Sequence, residues 1–338
     1  MQRATIGIVS PAPSGANNGN GRTADRWARQ LAPRFDVRVL SSWQGEPLDL
    51  LIALHARRSA ASIVDWSRHR ASRGAGSQAP LVVVLTGTDL YGDIATDASA
   101  RRSLALANAL IVLQDRGLLA LPPAVRGKAR VIYQSGERRR ASGKTTVRLR
   151  VLAVGHLRDE KQPQTLQAAA RRLRARPDIR IHHIGAGLDA RLAQAARRTA
   201  DHCAGYTWLG ARPHGQTLRW MQRAHVLVHP SRVEGGAHAV LEAVLCGTPV
   251  LASDIPGNRG MLGADYDGYF PVGDAAALAR ALERCRDEPS WLAHLRRQCA
   301  RRADLFDPRR EQRALFGLVR EMLAPQRPNI RKPRKSSR

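Results

Sequence analysis

Twice along this chain of 338 residues, short apolar runs alternate with amphipathic stretches of helical period, and this double alternation constrains the fold more than any other feature. The first series predicts strands over Thr5–Ser10, Val37–Leu40, Leu48–Leu54, Leu81–Leu85 and Ala109–Leu113, with helices such as Thr23–Leu31 and Ser59–His69 between them. The second predicts strands over Leu149–Val154, Ile179–Ile184, Tyr206–Leu209, Val226–His229 and Val250–Ala252. Short runs that are apolar throughout, separated by helices, suit parallel strands covered on both faces. The basic, polar stretch ERRRASGKTTV, Glu137–Val147, marks the divide, because domain boundaries favour such composition. The expected organisation is an N-terminal Rossmann-like domain over 1–140, a linker over 141–147 and a second Rossmann-like domain over 148–305. A helical segment over 306–325 is expected to cross back to the first domain, and a basic tail over 326–338 to be disordered. The fold class is therefore α/β, two doubly wound domains facing a central cleft, with ligands at the carboxyl ends of the strands.

Composition narrows the partners. The formal net charge of +27 first suggests nucleic acid, but only Lys128, Lys144, Lys161, Lys332 and Lys335 among the 55 basic residues are Lys. The arginines are scattered over many helices, and aromatics at 4% leave few platforms for stacking bases. A basic surface around an anionic small ligand is the better reading. The four cysteines, Cys203, Cys246, Cys285 and Cys299, form no C-x-x-C pair and no metal knuckle, so they are expected to be reduced thiols. No run approaches the ~18 apolar residues of a membrane helix, and Met1–Ser10 lacks a signal-peptide pattern, so a cytoplasmic location without stable membrane insertion is expected. Oligomeric state is left open.

The strongest motif is HPSRVEGGAHAVLEAVLCGTPVLAS, His229–Ser253. A buried strand ends in a turn carrying Glu234, Gly235 and Gly236, and a helix from about Ala237 follows, stopped by Gly247. Adjacent glycines let a ligand approach the backbone, and the helix N-terminus offers unpaired N–H groups to a phosphate. Glu242, read as two turns into that helix, is placed to accept two hydrogen bonds from a ribose diol. Glu234, in the turn, is read as free to touch a sugar hydroxyl. The plain alternative is a helix-capping Glu234 and a solvated Glu242; their setting between a buried strand, a Gly-Gly turn and Gly-Thr-Pro favours the ligand reading.

Two further motifs fall at strand ends. In VLAVGHLRDEKQP, Val151–Pro163, the strand ends at Gly155 and a loop brings His156, Arg158 and Lys161, cations suited to a departing diphosphate. Gly185 and Leu209, at the ends of the next two strands, complete the candidate nucleotide-sugar contacts. In SPAPSGANNGNGRTADRWARQL, Ser10–Leu31, the loop with Gly15, Gly19 and Gly21 matches neither G-x-G-x-x-G nor a P-loop, so Asn20 and Arg22 are assigned to an acceptor. His55, Arg57 and Arg58 after Leu54, and Thr86 and Thr88 after Leu85, join them on the acceptor side.

Glu234 through Glu242 resembles the E-x7-E pattern of retaining GT-B glycosyltransferases, and Lys161 matches that family's diphosphate-binding lysine. Many members carry Arg where this chain has His156; Arg158 stands nearby as a substitute cation. A narrower resemblance runs over residues 5 to 280: the segments GNGRTADRWARQL, LIALHARRSA, VLTGTDLYGDI, VLAVGHLRDEK, SRVEGGAHAVLEA, LASDIPGNRGMLG and GYFPVGD look like the selenosugar synthases of selenoneine biosynthesis. That resemblance implies joining selenophosphate to the anomeric carbon of a UDP-sugar, such as UDP-N-acetylglucosamine, with release of UDP and phosphate. It also implies Glu234, Lys161 and Arg158 as catalytic groups. Selenophosphate is an anionic nucleophile, so cations matter more than a general base. No Asp-x-Asp motif stands where a diphosphate would bind, so neither metal nor cofactor is expected and the UDP-sugar is the donor substrate. An O-glycosyltransferase acting on a glycan or lipid is the alternative, and a nucleic-acid binder the third.

Overall fold

The computed structural model describes residues 3–11, 19–72 and 79–324. Among the described residues, twelve strands fall in two separate sheets. The first holds β1 (Thr5–Val9), β2 (Asp36–Leu40), β3 (Leu50–Leu54), β4 (Leu81–Leu85), β5 (Ala109–Val112) and β6 (Ala129–Val131), in the order β2-β1-β3-β4-β5-β6. The second holds β7 (Leu149–Val154), β8 (Ile179–Ile184), β9 (Tyr206–Gly210), β10 (Val226–His229), β11 (Val250–Ser253) and β12 (Tyr269–Phe270), in the order β12-β11-β10-β7-β8-β9. All the pairings are parallel.

The apolar runs become central strands because both of their faces are covered. In the first sheet, successive side chains point to opposite faces. Ile6, Ile8, Ile52, Val82, Val84 and Ile111 pack with Trp27 of the helix Gly19–Leu31 and with Leu315, Leu318 and Val319 of the helix Pro308–Leu323. Leu51, Ala53, Val83, Leu85 and Val112 pack on the other side with Trp43 and Trp66. The C-terminal helix thus finishes the core of the first domain, and each large apolar side chain so buried contributes about 1.5–3 kcal/mol.

Strand order reverses between β1 and β3 in one sheet and between β7 and β10 in the other. Such reversals leave a crevice outside the strand ends, where the two flanking connections run to opposite faces. Segment 132–148 has no regular structure and lies against the second domain rather than standing free in solvent. Arg139 N donates to Leu245 O at 3.0 Å, and Ser142 N to Gln222 O at 3.2 Å.

Several details depart from the sequence reading. β1 stops at Val9, and the first helix begins at Gly19 rather than near Thr23. β6 and β12, of three and two residues, were not anticipated; runs that short have no readable period. Gly15 and the tail 326–338 lie outside the described residues. Among the described residues, no helix is long and apolar enough to cross a membrane.

Candidate active site

A cavity of about 340 Å³ lies between the carboxyl ends of the two sheets, within the ~300–1,000 Å³ typical of small-molecule sites. Its first wall comes from the N-terminal domain: Pro11 beyond β1, Gly19, Asn20 and Arg22 on the first helix, His55 and Arg58 after β3, and Thr86, Gly87 and Thr88 after β4. None of these is a carboxylate. The second wall includes Gly155, His156, Arg158, Glu160 and Lys161 after β7, Gly185 after β8, and the run from Val233 to Ala239 with Glu242 after β10.

One buried carboxylate shapes the first wall. Asp89 Oδ1 accepts from the backbone N–H of Thr86 at 2.8 Å, Gly87 at 2.9 Å and Leu90 at 3.0 Å, while Oδ2 accepts from Ala56 N at 2.9 Å. Two strand-end loops are therefore tied to one side chain. His55 is held at φ 74, the left-handed region that a residue with a Cβ seldom enters. Such local strain persists where surrounding bonds over-determine it. Here Nδ1 accepts from Arg58 N at 3.3 Å, which leaves Nε2–H to donate to Thr88 Oγ1 at 3.1 Å. Burial keeps the imidazole below its ordinary pKa, against the pull of Asp89.

The walls meet through two glycines. Gly87 has φ 138, and a Cβ there would stand 2.7 Å from Gly235 N. A Cβ on Gly235 would in turn strike the carbonyl of Thr86. The Gly-Gly turn thus serves first to let the two backbones touch, because any side chain at either position would force the domains apart.

Each carboxylate on the second wall is already engaged. Glu234, 9% exposed, accepts from Lys161 Nζ at 2.5 Å and from His229 Nε2 at 3.0 Å, both on Oε1. Burial alone would raise its pKa, but Lys161 and His229 hold the carboxyl well below the usual carboxylate range. Glu234 is therefore not free in its turn, and Lys161 is not an uncommitted cation. Arg158 Nε stands 3.2 Å from Glu160 Oε1. Glu242 lies on the helix His238–Leu245, one turn from its start rather than two. Its Oε1 receives Arg22 Nη2 at 2.9 Å from the opposite domain and His214 Nε2 at 2.8 Å.

A second network lies behind the cavity. Glu311, 1% exposed on the C-terminal helix, accepts from Arg26 Nε at 2.9 Å and Nη2 at 3.0 Å, Trp27 Nε1 at 2.7 Å, Gln30 Nε2 at 3.0 Å and Ser135 Oγ at 2.5 Å. Arg26 Nη1 also lies 3.4 Å from His238 Nε2. Burial, then the Arg26, Arg22, His214 and Lys161 charges, push the His238 pKa well below its ordinary value. Beneath the β7 loop, His183 bridges Tyr206 Oη and the Gly155 carbonyl, each at 3.1 Å, and burial lowers its pKa to about 4.

Of the residues singled out from sequence, the structure gathers Asn20, Arg22, His55, Thr86, Thr88, His156, Arg158, Lys161, Gly185, Glu234, Gly235, Gly236, Ala237 and Glu242 around this one cavity. Two stand elsewhere. Arg57 Nε turns to Asp93 Oδ2 at 3.1 Å, which draws it off the cavity that Arg58 lines. Leu209 packs against the core of the second domain, as an apolar side chain on an edge strand does. Sequence reasoning passed over His214, His229, His238 and Glu311. His229, the last residue of β10, was open to the same strand-end argument that singled out its neighbours. His214 and Glu311 carry no local signal, since their partners lie 28 or more positions away. Among the described residues, no group of three or more His, Cys, Asp or Glu is placed to hold a metal ion.

The family model described as glycosyl transferases group 1 matches residues 134–305. A D-inositol 3-phosphate glycosyltransferase of Streptomyces avermitilis is 30% identical over 206 residues, which cover 54% of this chain and 44% of the relative. A 2-deoxystreptamine N-acetyl-D-glucosaminyltransferase of Streptomyces fradiae is 31% identical over 173 residues, covering 49% of this chain and 41% of the relative. The chain thus spans less than half the length of these curated relatives. Sucrose-phosphate synthase from Thermosynechococcus elongatus superposes with a TM-score of 0.74 at 18% identity, covering 95% of this chain and 99% of that one. HepE from Anabaena, solved with UDP and glucose, gives 0.73 at 16% identity, covering 94% and 100%. At such identities these likenesses establish the fold alone.

Proposed function

This chain belongs to the glycosyl transferases group 1 family and has the GT-B fold, and we propose that it moves a sugar from a UDP-sugar to an anionic acceptor, selenophosphate. The donor lies along the second wall. The ribose diol donates to Glu242, the N–H groups at Gly235 to Ala237 and the start of their helix meet the diphosphate, and Lys161 joins them there. Glu234 then keeps its second oxygen for a sugar hydroxyl. In the reaction, selenium attacks the anomeric carbon while its bond to the diphosphate oxygen breaks and UDP departs. Water then cleaves the selenium–phosphorus bond, leaving the selenosugar and phosphate. The charge that develops on the departing diphosphate is met by Lys161 and Arg158, fixed donors in a partly dry site.

The observation that carries this reading is the make-up of the acceptor wall. Among the described residues lining it there are two guanidinium groups, Arg22 and Arg58, with His55, Asn20, Thr86 and Thr88, and no carboxylate. An ordinary alcohol needs a base to take its proton, usually a carboxylate or histidine within reach. Asp89 is consumed by four backbone amides, and His55 already donates through one ring nitrogen and accepts through the other. A pre-ionised nucleophile needs only the cations. A phosphorylated alcohol is the second reading, favoured by the relatives named D-inositol 3-phosphate glycosyltransferases.

The test is incubation with selenophosphate, or separately with inositol 3-phosphate, across a panel of UDP-sugars, read by mass spectrometry. A selenium-containing sugar with stoichiometric UDP is the expected result. Product from the inositol phosphate alone would replace the selenium reading with the second one. No product and no UDP binding would remove both.

A further inference from the structure

Arg22 and Glu242 come from different domains, yet they form a direct ion pair across the cavity. Arg22 Nη2 lies 2.9 Å from Glu242 Oε1 and 2.6 Å from His214 Nε2, and His214 Nε2 lies 2.8 Å from the same Oε1. Three polar atoms thus form a closed triangle, and its edges cannot all be attractive. If Nε2 carries a hydrogen, it donates to Glu242 and points an N–H at the Arg22 N–H. If Nε2 is bare, it accepts from Arg22 and turns a lone pair on the carboxylate. One edge is repulsive in either tautomer.

Such a contact gives way when a better set of donors arrives. A ribose diol offers two hydroxyl donors to the carboxylate and no charge to clash with His214. The side chains are also placed for exchange: Arg22 is 30% exposed, whereas Glu242 is 10% exposed and held on its helix. Arg22 therefore is the member that moves. It lines the wall that also carries Arg58, so on leaving Glu242 its guanidinium stays at the acceptor side.

We propose that Arg22 is a donor-gated acceptor residue: the ribose of a nucleoside diphosphate displaces it from Glu242, and the freed guanidinium then holds the anion of the acceptor. The acceptor site is completed by the donor, so the donor binds first. This rests on the reading of Glu242 as the ribose ligand given above.

The experiment uses the full chain, UDP as the donor probe and inorganic phosphate as the acceptor probe, both followed by calorimetry. Arg22→Gln removes the charge and keeps a good helix former at an already solvated position. UDP binds this variant at least as tightly as wild type, because its competitor for Glu242 is gone. With UDP saturating, phosphate binds the variant about tenfold more weakly than wild type, the scale of one charge-assisted hydrogen bond. Arg22→Lys recovers part of that loss, and Arg57→Gln changes neither affinity. Weaker UDP binding in Arg22→Gln overturns the proposal by making Arg22 a donor ligand, and so does unchanged phosphate binding. If UDP binds wild type and Glu242→Ala weakens it, either of those results removes the gate and leaves the nucleotide site standing. If UDP fails to bind wild type, the nucleotide site and the gate fall together.

Discussion

Arg22 and Arg26 sit one turn apart on the same helix and reach the C-terminal half of the chain through the same chemistry, a guanidinium on a glutamate. Arg26, 15% exposed, meets a Glu311 side chain that is 0% exposed, and three further donors complete the carboxylate. Arg22 meets Glu242 at the cavity mouth, shared with a histidine that cannot agree with both. The comparison separates a pin from a latch. An ion pair whose every lone pair is matched in the dry interior is expensive to open, because either charge left alone there is unsolvated. A pair whose cation is partly exposed and whose carboxylate is over-subscribed opens more cheaply, which is what a ligand-binding carboxylate needs.

The largest effect should come from the pin. Glu311→Ala strands Arg26 in the interior and is expected to cost about 3–5 kcal/mol, read as a fall in the urea midpoint at unchanged slope. Its acid dependence sharpens the point. Burial works to raise the Glu311 pKa, but Arg26 and the Ser135 and Trp27 donors win and the folded value lies below the ordinary one. Its stabilisation is thus fully present above the unfolded pKa of about 4.3 and is lost as pH falls through the folded value. Urea midpoints of Glu311→Gln should start lower and fall less steeply below about pH 4; parallel curves would place the acid-sensitive group elsewhere.

Lys161 and Glu234 lie between the two extremes, buried on one side and facing the cavity on the other. Lys161→Ala should lower kcat by about 10²–10³, the scale for removing a preorganised donor at developing charge. A change confined to KM would assign Lys161 to ground-state binding. At the latch, Glu242→Ala should weaken UDP by about 10–100-fold, from the loss of hydrogen bonds to a charged group. Its unfolding free energy should fall by less than that of Glu311→Ala, because Arg22, 30% exposed, can turn to water when the carboxylate is gone. A collapse in stability there would erase the distinction between latch and pin. The smallest effect belongs to Arg57→Ala, which removes a half-exposed partner of Asp93. It should leave turnover unchanged and stability within about 0.5 kcal/mol, and a kinetic defect would return Arg57 to the acceptor wall.

Much of the plan was legible in the chain. β3 and β4 are LLIAL and LVVVL, apolar at every position, and a parallel strand covered on both faces suits such a run. The Val226–Ser253 region could be parsed into strand, glycine turn, helix and strand because each piece carries local chemistry. The reading lost accuracy where a side chain's direction depended on a distant partner. Arg57 and Arg58 are neighbours of one residue type, and nothing local says that Asp93 takes the first while the second lines the cavity. Leu209 sits at a strand end like the true cavity residues, but an edge strand turns it to the core. In the sequence Glu234 looks free, because neither Lys161, 73 positions upstream, nor His229 announces itself as its partner.

The sequence by itself determined the local terms: which segments bury both faces, where the glycines break them, and hence two parallel sheets whose strand ends carry the polar residues. Those depend on periodicity and backbone sterics, which act over a few residues. Only the tertiary structure decided that one helix offers Arg26 to a closed, dry carboxylate and Arg22 to one that lines the cavity. That difference comes from burial and from the number of donors around each oxygen, and both are set by segments of the chain that meet across 220 and 285 positions.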